Sequence, residues 1–188
     1  GVGAREVGFM AGMMKRLAND ASCVFTGKGL SFGGSAMRPE ATGYGCVYFA
    51  QEMLHRSGIS LDGPTVTISG SGNVALFAAE KALDLGARVL TLSDSGGTLV
   101  VERGIDEELL KRIQHWKDVE RGRLAEFAEK EGLRFESGKR PWHVPTDIAL
   151  PCATQNELDA KDAKHLIANG VVCVAEGANM PSTLEAVD

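Results

Sequence analysis

No stretch of the sequence approaches the roughly 18 to 20 uninterrupted apolar residues that a membrane helix needs, and no basic region followed by an apolar run resembles a secretory signal. A cytoplasmic chain with no membrane partner is expected. Cysteine is sparse: Cys23, Cys46, Cys152 and Cys173 are far apart, form no CxxC pair and have no histidine at ligand spacing. Neither a zinc site nor a disulfide framework follows, no metal is expected, and the four read as small buried residues. Histidine is equally scarce, and His55, His115, His143 and His165 have no carboxylate or cysteine at dyad or ligand spacing. They read as surface or incidental residues. Positive charge is in deficit, with 20 Lys and Arg against 25 Asp and Glu and a net charge of -5. The overall field repels nucleic acid, so any anion-binding site must be a local arrangement.

What is present is ordinary for a folded domain. The 188 residues are 44% hydrophobic and 24% charged, which excludes wholesale disorder and fibrous repeats and leaves enough length for a real core. Glycine is in excess at 23 residues. The chain starts at Gly1 rather than Met and stops at Asp188 just after an apparent helix start, so it reads as a piece of something longer.

Val2 to Leu17 places apolar residues at three- and four-residue spacing among charged ones, the pattern of an amphipathic helix. Cys23 to Arg38 is loop chemistry, with Gly27, Gly29, Ser31, Gly33, Gly34 and Ser35. A helix then follows Pro39 and runs to a stop at Gly58. Thr65-Val-Thr-Ile-Ser69 is a β-branched strand leading straight into Gly70-Ser-Gly-Asn-Val-Ala75, and Ala75 to Leu85 is a helix ending at Gly86. Arg88 to Leu92 is the next strand, closed by Ser93 and Asp94, which completes a βαβ unit. A polar helical stretch from about Glu107 to Glu131 is interrupted near Gly122, and Gly138 to Pro145 is turn-rich. Asp147–Cys152 and Val171–Ala175 read as two further strands, with a helix from about Ala160 to Ala168 between them. Alternation of strand and helix implies an α/β fold: a doubly wound, Rossmann-like, mostly parallel sheet with helices on both faces.

The sharpest local signal is Gly70-x-Gly72-x-x-Ala75 between strand and helix. Gly70 permits the tight turn, Gly72 lets backbone approach a pyrophosphate, and Ala75 keeps helix and strand close; the phosphates then sit on the helix N-terminus. An acid at the end of the second strand, Asp94, completes the dinucleotide pattern and favours NAD through the ribose 2′-hydroxyl. Lys117, Arg121 and Arg123 are a basic group that could fold back over Ser93, Asp94 and Ser95 to take the 2′-phosphate of NADP, or could be a solvated helical face. The residues alone leave NAD and NADP open. Arg38 and Thr42, after the glycine loop that contains Lys28, suit a carboxylate or carboxamide site. Pro151-Cys-Ala-Thr-Gln-Asn156 and Glu176-Gly-Ala-Asn-Met-Pro181 each follow a strand directly, so both turns would rim the crevice at the carboxyl ends of the strands.

Six ordered runs, GVGAREVGFMAG, FTGKGLSFGGS, RPEATGYG, SGSGNVA, LPCATQNEL and AEGANMPSTLEA, together resemble the hexameric, NADP-type glutamate dehydrogenases over essentially the whole chain. The resemblance implies that this chain is the dinucleotide-binding domain, with 1–58 a helical and glycine-loop lead-in at the interdomain cleft and 59–188 the Rossmann-like core. The N-terminal substrate domain and a C-terminal segment would be absent. It implies cofactor contacts at Gly70, Ser71, Gly72, Asn73 and Val74 for the pyrophosphate, and at Ala153, Thr154, Asn156 and Asn179 near the riboses and nicotinamide. It places Ser93, Asp94, Lys117 and Arg123 around the 2′-phosphate, so NADP(H) is expected before NAD(H); Glu120 departs from the pattern, where a basic residue is often found. Arg38 and Thr42 would lie at the active-site edge. The family's catalytic lysines, in a GGGKGG-like run, and its catalytic Asp, in a PAGD-like run, do not occur in this sequence, and Lys28 lies in a different segment. The full protein would reductively aminate 2-oxoglutarate with ammonia to glutamate as a homo-hexamer, and this chain alone would bind cofactor without turnover. The rival readings are the nucleotide domain of a leucine- or phenylalanine-type dehydrogenase, against which RPEATGYG and PCATQNEL argue, and an isolated dinucleotide-binding module without catalysis.

Overall fold

A computed structural model describes residues 2–19 and 24–188, so Cys23 and the start of the expected loop lie outside the described residues. The chain divides into two compact units, Gly1–Ala41 and Thr42–Asp188. In the first, helix α1 spans Ala4–Ala18. Its N-terminus is closed by the carboxylate of Glu6, which accepts the Gly3 N–H at 2.9 Å. That bond, helped by Arg5, lowers the Glu6 pKa to about 2. Phe32, from a short 3-10 turn at Leu30–Phe32, lies so close to α1 that a Cβ on Gly8 would come within 3.1 Å of its ring. The expected amphipathic helix forms, yet Phe9, Met13 and Leu17 remain exposed.

Helix α2, Arg38–Arg56, begins at the end of the first unit and continues into the second, where Cys46, Val47, Ala50 and Leu54 join the main core. Strand β1, Thr65–Ile68, is followed by α3, Asn73–Asp84, and β2, Arg88–Asp94. Val66 and Ile68 are fully buried, and so are Ala75, Ala78, Ala79 and Ala82, small residues that let α3 lie close against the sheet. Next come β3, Gly97–Val100, and α4, Glu107–His115, the latter capped by Asp106, whose carboxylate accepts the Leu109 N–H at 2.8 Å. One π turn at Trp116–Glu120 and the sharp Gly122 break separate α4 from α5, Leu124–Glu131. Strand β4, Arg134–Ser137, strand β5, Ile148–Leu150, helix α6, Ala160–Ala168, strand β6, Cys173–Val174, and helix α7, Leu184–Val187, complete the chain.

The six strands are ordered β4-β3-β2-β1-β5-β6. Pairs β1·β2, β1·β5 and β5·β6 are parallel, while β2·β3 and β3·β4 are antiparallel, so β3 alone runs against the others. The strand order reverses between β1 and β5, and this is where an open parallel sheet leaves a crevice. Along β5 the side chains alternate: Ile148 and Leu150 join the core under α2 to α5, and Ala149 joins Trp142, Leu158 and Leu166 of α6 in a second cluster. Helices therefore cover both faces. The excursion through β3 and β4 was not expected from the sequence. Gly97 makes it possible, because a Cβ there would fall 2.2 Å from the Glu136 carbonyl oxygen.

Candidate dinucleotide site

Three turns meet at the carboxyl ends of β1, β5 and β6. Gly70, just after β1, has φ +88°, a left-handed conformation that favours glycine. A Cβ on it would also come within 3.0 Å of the Cys152 carbonyl oxygen and 3.1 Å of Ala153 Cα in the turn after β5. The Ser69 hydroxyl accepts the Cys152 N–H at 2.9 Å, which ties the same two strand ends together. The turn after β6 is laced to the turn after β5: Gly177 and Ala178 donate to the Pro151 carbonyl at 2.9 and 3.0 Å, Asn156 donates to the Met180 carbonyl at 3.0 Å, and Leu158 donates to the Pro181 carbonyl at 2.9 Å. Gly177 in turn packs towards the first turn, since a Cβ on it would lie 2.6 Å from Cys152 Sγ, 3.0 Å from Val74 Cγ1 and 3.5 Å from Cys46 Sγ. A hydrogen bond with Cys46 and burial hold the Cys152 thiol above the usual range, as a neutral packing group.

Gly72 is different in kind. It caps α3 with φ -92°, which any residue can adopt, and nothing lies within 4 Å of where its Cβ would be. Neither backbone strain nor packing demands glycine there. The open space sits at the N-terminus of a helix of 12 residues, where the first-turn N–H groups and the dipole favour an anion. Ser71 beside it is buried, whereas Asn73 is exposed. Ala153, Thr154, Asn156 and Asn179 are all exposed on the neighbouring turns. Thr42, on α2, is exposed beside Gly43, whose Cβ would fall 2.6 Å from the Val74 carbonyl oxygen and 2.7 Å from Ala78 N. Thr42 is therefore anchored next to the first turn of α3. Arg38 is an exposed residue of the first unit.

At the end of β2 the structure replaces the sequence-level conflict between Asp94 and the basic group with a pairing. Asp94 Oδ1 accepts the Gly96 N–H at 2.8 Å, and Oδ2 accepts the Leu124 N–H at 2.9 Å, at the start of α5. Lys117 Nζ lies 3.8 Å from Oδ2 and donates to the Gly122 carbonyl at 3.0 Å. Arg123 Nη1 donates to the Ser95 hydroxyl at 2.7 Å, and the Trp116 indole N–H donates to the Arg123 carbonyl at 3.0 Å. Trp116 covers Gly122 so closely that a Cβ there would fall 2.2 Å from its ring. Ser93 is buried with its hydroxyl accepting the Gly70 N–H at 2.8 Å. Of the three residues over which the basic group could fold back, Ser95 is the one whose hydroxyl meets Arg123. Glu120 pairs with His115 at 3.8 Å on the exposed π turn.

The profile of the Glutamate/Leucine/Phenylalanine/Valine dehydrogenase family matches residues 33–188. The chain belongs to this family. It is 62% identical over its whole length to the NADP-specific glutamate dehydrogenase of Salmonella typhimurium and 61% identical to that of Escherichia coli, and it spans 42% of each. Among solved structures, glutamate dehydrogenase of Plasmodium falciparum superposes with a TM-score of 0.91 at 43% identity, covering 99% of this chain and 40% of that one. The chain thus spans about two fifths of the length of the relatives it matches.

The structure corrects the reading of one histidine. His143 is not incidental: Nε2 lies 2.7 Å from Glu136 Oε2, and Nδ1 lies 2.8 Å from the Arg140 carbonyl. Glu136 is buried on β4 and also pairs with Arg134 and with Lys139, the latter at 3.4 Å. Burial pushes its carboxyl up, but the bonds from His143, Arg134 and Lys139 outweigh this and leave it below the ordinary range. The spacing rule missed the pair because the 3-10 turn at Pro141–His143 folds the histidine back over the edge strand. Cys46, Cys152 and Cys173 are buried as expected. Among the described residues no group of acids, cysteines and histidines is placed to hold a metal ion, and no helix is long and apolar enough to cross a membrane.

Proposed function

We propose that this chain is the cofactor-binding part of an NADP-dependent glutamate dehydrogenase, whose full-length form converts 2-oxoglutarate, ammonia and NADPH to L-glutamate and NADP. Gly72 carries the reading. Neither dihedral strain nor packing demands glycine at this helix cap, whereas a pyrophosphate approaching the α3 N-terminus requires it. Backbone groups from Gly70 to Val74, with the Ser71 side chain, hold the pyrophosphate. Asp94 already turns its oxygens to N–H groups of the protein with Lys117 beside it, which makes it a poorer acceptor for a ribose 2′-hydroxyl. It instead fixes Lys117 and the start of α5, leaving Arg123, Ser95 and Lys117 to receive a 2′-phosphate, and this favours NADP over NAD. Ala153, Thr154, Asn156 and Asn179 flank the riboses and nicotinamide, and Thr42 stands at the active-site edge.

When bound, the nicotinamide supplies the hydride; the residues of this chain bind and orient it and exclude water from one side. The groups that hold the oxo acid and move protons belong to the rest of the protein, which we expect to assemble as a hexamer. Calorimetric titration of the 188-residue chain tests the proposal. NADPH should bind more tightly than NADH, and NADPH oxidation should stay at background when 2-oxoglutarate and ammonium are added. Absence of NADPH binding would remove the site from these turns.

A further inference from the structure

We infer that Glu157 is a positioning residue for the nicotinamide-side half of the cofactor site, an inference that rests on the dinucleotide reading above. Glu157 is only 7% exposed, and a buried carboxylate is tolerated only where its oxygens are bonded. Here Oε1 accepts two consecutive main-chain donors, the Ala153 N–H at 2.9 Å and the Thr154 N–H at 3.2 Å. The carbonyl of the same residue accepts the indole N–H of the fully buried Trp142 at 3.1 Å. One residue thus pins the turn after β5 to the second core cluster through its main chain and sets the shape of that turn through its side chain.

The placement has a direct consequence for ligand contact. Both N–H groups are turned inward onto the carboxylate, so the turn offers the exposed side chains of Thr154, Gln155 and Asn156 instead. Asn156, held at φ +55°, also donates its N–H to Met180 at 3.0 Å, so the shape set by Glu157 is passed to the turn that carries Asn179. The other wall of the crevice, Gly70 to Val74, is held to β2 through Ser93 and to α2 through Gly43. Loss of the Glu157 side chain should therefore loosen the nicotinamide side and leave the adenosine side in place. Both bonds run from N–H donors to one oxygen, so the acceptor oxygen is the property the turn uses.

Titrations of the 188-residue chain with NADPH and with adenosine 2′,5′-bisphosphate, which lacks the nicotinamide half, test this. In Glu157→Ala, NADPH affinity should fall about tenfold or more, the scale of disturbing a turn held by two hydrogen bonds, while the bisphosphate binds as in the wild type. Glu157→Gln keeps an acceptor oxygen and should restore NADPH binding. Were Glu157→Ala not to fold, Glu157→Asp, with its oxygen withdrawn by one methylene, carries the same expectation. Equal loss of both ligands, loss of neither, or failure of Gln to rescue overturns the role of Glu157. A wild-type chain that binds neither ligand overturns the dinucleotide reading itself.

Discussion

Replacing Gly43 with alanine should destabilise the chain even though alanine is the better helix former. Gly43 lies inside α2 and is buried, and its missing Cβ would stand 2.6 Å from the Val74 carbonyl oxygen, 2.7 Å from Ala78 N and 2.9 Å from Phe77 Cβ. Two of these three atoms are backbone and cannot rotate away. The gain in helix propensity is about 1 kcal/mol, whereas overpacking against a fixed surface costs about 3 kcal/mol, the upper part of the usual range. Sterics win by about 2 kcal/mol, which for a domain of this size lowers the melting temperature by about 4–8 °C. Gly45, two residues along the same helix, is exposed with nothing within 4 Å of its Cβ position. There only propensity acts, and Gly45→Ala should raise the melting temperature by about 2–4 °C. Circular dichroism melts of the two variants beside the wild type give opposite signs. An unchanged or raised melting temperature in Gly43→Ala would show that α2 does not lie against the first turns of α3 as described.

Asp147 ties the start of β5 to β1 by accepting both the N–H and the hydroxyl of Thr65 at 2.7 Å, bonds that hold its carboxyl below the ordinary range. A depressed carboxyl contributes stability above its unfolded-state pKa and loses it as pH falls through the folded-state value. Asp147→Ala should therefore lower the melting temperature at pH 7 and converge with the wild type in strong acid, and because Asp147 is exposed the effect is about 1 kcal/mol or less; a difference that persists unchanged at pH 2 would contradict this. The double substitution of Lys117 and Arg123 by alanine should weaken NADPH by about 10- to 100-fold, the scale of charge-assisted bonds lost to a phosphate, and leave NADH affinity nearly unchanged. Equal losses by calorimetry would remove these residues from the 2′-phosphate site.

The alternation of strand and helix was readable because each element is announced locally. A β-branched run precedes Gly70, an alanine-rich run follows Gly72, and Asp159 caps α6 by accepting from Lys161 and Asp162. The turns after β5 and β6 were readable for the same reason, each directly following an apolar strand. What the sequence hid depends on distant partners. Strands β3 and β4 are only four residues each, are separated by two helices, and pair through Gly97, Thr98, Leu99 and Val100 against residues 134–137. The bond from the Leu124 N–H to Asp94 was hidden because it spans 30 residues across a π turn that no periodicity announces. His143 and Glu136 escaped for a related reason, since a 3-10 turn brings them together at a spacing outside helical rules. Gly70 and Gly72 looked alike in the motif. Only the structure separates a glycine demanded by φ and packing from one whose space stands open.

That open space gives the most direct test of dinucleotide binding. In Gly72→Val the new side chain meets no protein atom within 4 Å of Cβ and the backbone keeps a φ of -92°, so the melting temperature should stay within a few degrees of the wild type. Calorimetric titration with NADPH should lose about 100-fold or more in affinity, because the valine occupies the volume into which the pyrophosphate approaches the α3 N-terminus. A folded Gly72→Val chain that binds NADPH as tightly as the wild type would contradict the account.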